Sequence, residues 1–375
     1  MNDRASGEGA VAAGSSASWL RRHGGKLLAS LVVAGAFGWL LHRGALPLAP
    51  PTSAFSRMRW WTLGAFVALW SIVHVIRAAR WMLLLAPIAR VPLRKVLGVS
   101  FIGFAAIVLL PLRTGEAVRP LLIRTHGNIS GWAATGTIAA ERVIDGLVLS
   151  LILLAGLTLS TPLSPLPDHI GDLPISPSIV PRSAYAALAL FAVAFTVMGV
   201  FYANRAWARR TTERVVGLVS PRLATWLADR VENVGEGLHF LPNRRLAASF
   251  VGATAFYWLL NAASLWLIAW GSGFDRFSYA EACTTTGVIA LGILVPNAPG
   301  FFGAYQLAFY AALAVFYPPE LVTGPGGALV LLVYTSQLAI TVGAAVVGFV
   351  LERTGVREVL SEDAAANLAT SAGSD

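Results

Sequence analysis

Residues 96–120 read Val-Leu-Gly-Val-Ser-Phe-Ile-Gly-Phe-Ala-Ala-Ile-Val-Leu-Leu-Pro-Leu-Arg-Thr-Gly-Glu-Ala-Val-Arg-Pro. No charge interrupts residues 96–110, and then Pro111, Arg113, Gly115, Glu116 and Arg119 arrive together. A helix that crosses a bilayer needs about 20 apolar residues, so this run stops short. Backbone groups freed at such a break have no water in lipid, and must be buried in protein or line a wet cavity. The stretch reads as a broken or re-entrant helix.

The rest of the chain places this break in a membrane protein. Of 375 residues, 56% are hydrophobic and only 13% charged, with a mean hydropathy of +0.67. A soluble domain carries about a quarter charged residues. The net charge of +9 is not gathered into a basic domain; the arginines flank apolar segments, so nucleic acid is excluded as the expected partner and membrane lipid takes its place. Cys283 is the one cysteine, and the six histidines show no ligand spacing. Neither a disulfide nor a metal site is expected, and no cofactor is implied.

Apolar segments lie at 27–46, 61–76, 96–110, 132–159, 184–203, 247–271, 280–294, 302–317 and 328–351. A second break, Pro296-Asn297-Ala298-Pro299-Gly300, separates two short ones. The expectation is an all-α polytopic protein with about six full spans and two broken hairpins. Halves 61–159 and 247–351 form an inverted repeat. The whole transmembrane domain covers 27–351, between disordered cytoplasmic tails at 1–26 and 352–375. Basic residues collect before 27 (Arg4, Arg21, Arg22, Lys26), after the second segment (Arg77, Arg80, Arg90, Arg94, Lys95) and between 203 and 247. Residues 161–181 and 318–327 have no Lys or Arg. The positive-inside rule then puts both termini in the cytoplasm of a bacterial inner membrane, although Arg43, Arg57 and Arg59 fall in an outer loop. Residues 205–245 read as a cytoplasmic amphipathic helix, since Leu227, Val231, Val234 and Leu238 share one face. It lies on the membrane surface or packs on neighbouring helix ends.

Three clusters are candidates for substrate binding, because charge beside an apolar helix is expensive. Arg113, Glu116 and Arg119 fall at three-residue intervals; on one helical face the acid bridges two bases, and guanidinium forks suit a phosphate. The competing reading is an ion-pair ladder that pins the break, or interfacial snorkelling. Glu141, Arg142 and Asp145 form the second cluster: the two acids share a face, Arg142 reaches Asp145, and the group serves as counter-charge to Arg113 and Arg119, as a protonation site, or as an exposed helix end. The third runs from Asn297 through Pro299, Gly300, Gly303, Tyr305 and Gln306. A helix starting after Gly303 offers free N–H groups to an anion; the alternative is a plain kink. Trp60, Trp61, Trp81, Trp132, Trp258 and Trp270 read as interfacial belt. No nucleotide-binding, hydrolase or zinc motif is present, so no catalytic residue is expected and a transporter is favoured over an enzyme.

Taken in order, Arg77-Ala-Ala-Arg80-Trp81, Pro111-Leu-Arg-Thr-Gly-Glu116 with Arg119, Glu141-Arg142 with Asp145, and Pro299-Gly-Phe-Phe-Gly303 resemble the transmembrane region of the lysylphosphatidylglycerol synthase and flippase family, over roughly 27–351. The resemblance implies a flippase-like domain that moves phospholipid, and adds Arg77 and Arg80 to the substrate-binding set. Two departures matter. The synthases continue into an aminoacyltransferase domain that does not follow here, so lysyl-lipid synthesis is not expected. Gln306 stands where the family often has glutamate, which weakens a lysyl headgroup as substrate. The leading expectation is translocation or binding of an anionic phospholipid or isoprenoid-phosphate-linked lipid. The alternatives are a transferase with a polyprenyl-phosphate sugar donor, using Asp168 and Asp172, and a secondary transporter of a small solute. Oligomeric state stays open, a homodimer included.

Overall fold

The computed structural model describes residues 31–126, 129–204, 234–294 and 298–352, with isolated positions at 25, 28, 210, 213, 214 and 220. Regular structure among them is helical, apart from one β-bridge between Ile170 and Leu173. In chain order the helices are α1 (Leu31–Arg43), α2 (Trp61–Ala79), α3 (Trp81–Leu85), α4 (Leu93–Leu109), α5 (Val118–Ile123), α6 (Gly131–Leu159), α7 (Ile179–Ala203), α8 (Arg244–Gly271), α9 (Tyr279–Gly292), α10 (Ala304–Leu313), α11 (Pro319–Thr323) and α12 (Pro325–Leu351).

Helix starts follow local chemistry. Ser130 accepts from the Ala133 N–H at 2.9 Å to cap α6. Asn243 accepts from Arg245 and Leu246 to cap α8. Ser278 and Glu281 form a reciprocal capping box on α9. Five helical stretches are long and apolar enough to cross a bilayer: Trp61–Leu85, Gly131–Leu159, Ile179–Ala203, Arg244–Gly271 and Pro319–Leu351. That is one fewer than expected, because α1 is described only over Leu31–Arg43 and is short over that range. At 17 and 14 residues, α4 and α9 are the interrupted helices.

Lipid tails are as apolar as leucine, so close fit and not water exclusion holds such helices together. The most extensive pairings are α4 with α12, α2 with α8, α6 with α9 and α6 with α7. Small residues sit at two of these crossings. A Cβ on Gly348 of α12 would lie 2.9 Å from the Gly98 carbonyl of α4, and one on Gly156 of α6 would lie 2.7 Å from the Thr284 hydroxyl of α9.

Several expected boundaries move. Segment two extends beyond 76 to take in Arg77 in α2 and Arg80 at its end, where Arg80 is only 3% exposed. These are not loop charges; partners inside the bundle let the helix end carry Arg80. Glu352 does not begin a tail. It closes α12, is buried, and bonds Lys95 at 3.4 Å and His126 at 2.8 Å. The described end of the proposed surface helix, 234–243, packs on α6, with Gly237 against Gly136 and Leu238 and Phe240 in the core. The rest of that helix up to residue 233, apart from isolated positions, lies outside the described residues, as do most of the N-terminal tail, residues 353–375, and Pro296 and Asn297 of the second break.

Candidate functional site

The interior charges are set by helix spacing. Glu141 and Asp145, four apart on α6, face the same way, toward Arg80 at the end of α2. Arg80 Nη2 donates to Asp145 Oδ2 at 2.7 Å and to Glu141 Oε1 at 3.2 Å, and its Nη1 donates to Thr254 at 2.7 Å. Arg119, on α5, donates to the other oxygen of Glu141 at 3.0 Å. Its stem fits against Gly103, where any Cβ would collide with it. The guanidinium lies 4.1 Å from the centroid of Trp81, whose indole N–H donates to Thr137. The side chains of Arg80, Arg119 and Glu141 are at most 1% exposed. Such a network holds together only because each charge is answered.

Arg119 does not share Glu116 with Arg113, because Pro111–Ala117 forms a 3-10 helix and turns Arg119 inward toward α6. Arg142 does not pair with Asp145, whose Oδ2 is taken by Arg80. Of the expected counter-charges, Glu141 answers Arg119 while Asp145 answers Arg80, not Arg113.

The two breaks meet. Arg113 adopts φ +59°, donates through Nε and Nη2 to Glu116 at 3.0 and 2.8 Å, and sends Nη1 to the Ile293 carbonyl at 2.8 Å. That carbonyl belongs to the residue closing α9, where helix acceptors lack backbone partners. On the other side, Gly300, Phe301 and Gly303 all have positive φ, and α10 begins at Ala304. The Gly303 N–H is not open to an anion, since Gln306 Oε1 accepts it at 2.7 Å. Gly303 also meets Phe37 of α1 so closely that a Cβ would clash.

Between these parts lies a cavity of about 220 Å³. Arg77, Arg113, Arg142, Asp145, Gly300 and Tyr305 of the expected set line it. Arg80, Arg119 and Glu141 form the ion-paired layer beside it, and Glu116 is held through Arg113. Pro299, Gly303 and Gln306 shape the break without lining the cavity, and Asn297 is outside the described residues. Tyr305 donates to Gln337 at 3.0 Å. The sequence reading missed Trp70, His74, Gln337 and Tyr334, and took Trp258 for belt; all line the cavity. Trp81, also taken for belt, is fully buried. One signal was available: Trp70, His74 and Arg77 recur at spacings of four and three, a single face of α2.

The lysylphosphatidylglycerol synthase TM region family matches residues 27–334 of the chain. Glycosyltransferase AglD of Haloferax volcanii is 25% identical over 236 residues, which is 59% of this chain and 38% of that protein. The match thus spans less than half of that relative's length. No solved structure matches.

Proposed function

The chain belongs to the lysylphosphatidylglycerol synthase transmembrane-region family, and from that premise we propose that its cavity receives the phosphate-bearing headgroup of a membrane lipid and passes it across the bilayer. One observation carries this reading: Arg77, Arg113 and Arg142 converge on one cavity where two broken helices meet. Guanidinium forks match phosphate oxygens in shape and charge, and the Gln337 amide and Trp258 indole offer further donors.

The packing supports two inverted halves. Exchanging α2 with α8, α4 with α9 and α6 with α12 turns the α4–α12 crossing into the α9–α6 crossing and leaves α2–α8 in place; all three are extensive. The close-fitting residues follow the same exchange. Gly348 and Gly156 each lie three residues from the end of their helix, and Gly98 and Thr284 are each the sixth residue of theirs. In this arrangement α4 enters from the cytoplasm of a bacterial inner membrane, α9 enters from outside, and both termini stay inside. The substrate path then runs along the interface of the repeats.

The relative's name, a glycosyltransferase, keeps a sugar-bearing headgroup among those to try. Asp168 and Asp172 are exposed and do not line the cavity, which speaks against a paired-acid transferase there. Reconstitution in vesicles with headgroup-labelled lipids is the test. Transfer above that of empty vesicles, lost in Arg113→Gln, is expected; absence of transfer for anionic, isoprenoid-phosphate and sugar-linked lipids alike overturns the reading.

A further inference from the structure

The charges around the cavity do not balance. Arg77, Arg80, Arg113, Arg119 and Arg142 face three carboxylates, Glu116, Glu141 and Asp145. The acids are already taken: Glu116 by Arg113, Glu141 by Arg80 and Arg119, and Asp145 by Arg80. Among the described residues Arg77 and Arg142 have no acidic partner. Both line the cavity, and the Nε of each is buried without a hydrogen bond. A guanidinium in a low-dielectric interior is retained where something of opposite charge answers it.

The unmet hydrogen bonds have the same bias. Around this space Arg77 Nε, Arg142 Nε, Trp70 Nε1 and Trp258 Nε1 are donors without acceptors, whereas Asp145 Oδ1 is an acceptor without a donor and His74 has both ring nitrogens unpaired. The unmet donors outnumber the unmet acceptors, so a ligand that fits supplies chiefly acceptors. It also carries two negative charges, one for each unanswered arginine.

We infer that the cavity is built for a dianionic phosphate, that of a lipid phosphomonoester or diphosphate, in preference to the singly charged phosphodiester of an ordinary phospholipid. The inference rests on the reading of the cavity as a headgroup site and narrows it. Arg77 and Arg142 hold the second charge, while Arg113, shared with Glu116 and the Ile293 carbonyl, fixes the position of the phosphate between the breaks. A lysyl-bearing headgroup, with its added cation, meets uncompensated arginines and is disfavoured.

The test is binding to the purified full chain in detergent, with short-chain phosphatidate and polyprenyl phosphate as monoesters, short-chain phosphatidylglycerol as diester, and inorganic phosphate as competitor. At pH 8 both monoesters are expected to bind at least about tenfold more tightly than the diester, a difference of about 1.4 kcal/mol. The preference is expected to vanish as pH falls below about 6, where a phosphomonoester loses its second charge. The groups facing the ligand are His74 and Arg77 on α2, Arg142 and Asp145 on α6, Arg113 at the first break, Tyr305 on α10 and Tyr334 on α12. The diester, constant in charge, reads any contribution from the protein's own groups separately. Arg77→Gln and Arg142→Gln should each erase the preference by weakening monoester binding more than diester binding; the pH profile of the unaltered protein decides the matter even if neither variant folds. Equal binding of monoester and diester at every pH overturns the inference and leaves the headgroup reading standing. Failure of all three lipids to bind overturns both. Inorganic phosphate binding as tightly as the lipids supports the dianion but assigns the site to free phosphate.

Discussion

At the scale of single residues, Glu141 joins two buried arginines. Each of its oxygens answers a different arginine, Arg80 from α2 and Arg119 from α5, and none of the three side chains sees more than 1% of its surface exposed. Replacing one member of a buried ion pair leaves an uncompensated charge, which costs about 3–5 kcal/mol. Glu141→Gln is therefore expected to lower the thermal midpoint in detergent sharply, and far more than Glu116→Gln, whose carboxylate is 38% exposed. Equal, small shifts for both would show that the buried network adds nothing. Gly103 makes the same point through shape. The arginine stem occupies the place a methyl group would take, so Gly103→Ala is expected to destabilise by about 1–3 kcal/mol through overpacking. Restoration by Arg119→Ala would be incomplete, since Glu141 would then lose a partner. Glu141 and Asp145 were legible as a pair from their spacing. Their partner was not, because Arg80 lies 61 residues from Glu141, and spacing along a chain says nothing about such distances. Arg142 shows the resulting error: the nearest base in sequence was assigned to Asp145, and a tertiary partner had displaced it.

At the scale of elements, the breaks were legible and their internal geometry was not. Pro111 and Pro299-Gly300 announce that α4 and α9 stop, since proline removes a donor and glycine frees φ. That Pro111–Ala117 winds as a 3-10 helix, and that Gln306 caps its own helix, depends on neighbours that no local pattern encodes. The closing residue of α12 is a further case. Glu352 joins Lys95 near the start of α4 and His126 just after α5, so it ties the end of α12 to α4 and α5 near the Gly98–Gly348 crossing. Sequence reading assigned it to a tail because a charge after an apolar run ordinarily marks a helix end in water. A double-mutant cycle on Lys95→Ala and Glu352→Ala, read as thermal or denaturant stability in detergent, is expected to give a coupling of about 1–2 kcal/mol, within the range for residues in direct contact. Additive losses within about 0.3 kcal/mol would mean that the contact contributes nothing to joining these helices.

At the scale of the whole molecule, the placement of charge in loops and the exchange of helix pairs are independent arguments for one topology. The first depends on the scarcity of Lys and Arg in 161–181 and 318–327. The second depends on close packing inside the bundle, which takes no account of which side of the membrane is which. If both hold, Asp168 and Glu320 lie outside and Arg90 lies inside, and all three are exposed enough to be labelled. Cys283 is buried and free, so single cysteines can be introduced over a quiet background. In intact cells, Asp168→Cys and Glu320→Cys are expected to react with an impermeant maleimide, and Arg90→Cys only after the membrane is opened. The pair Asp168 and Glu320 matters most, because one residue follows α6 and the other precedes α12, the helices that exchange under the proposed repeat. Labelling of the two from opposite sides would keep the helical bundle but break the inversion, and with it the physical reason for placing both helix breaks at the same depth around one phosphate.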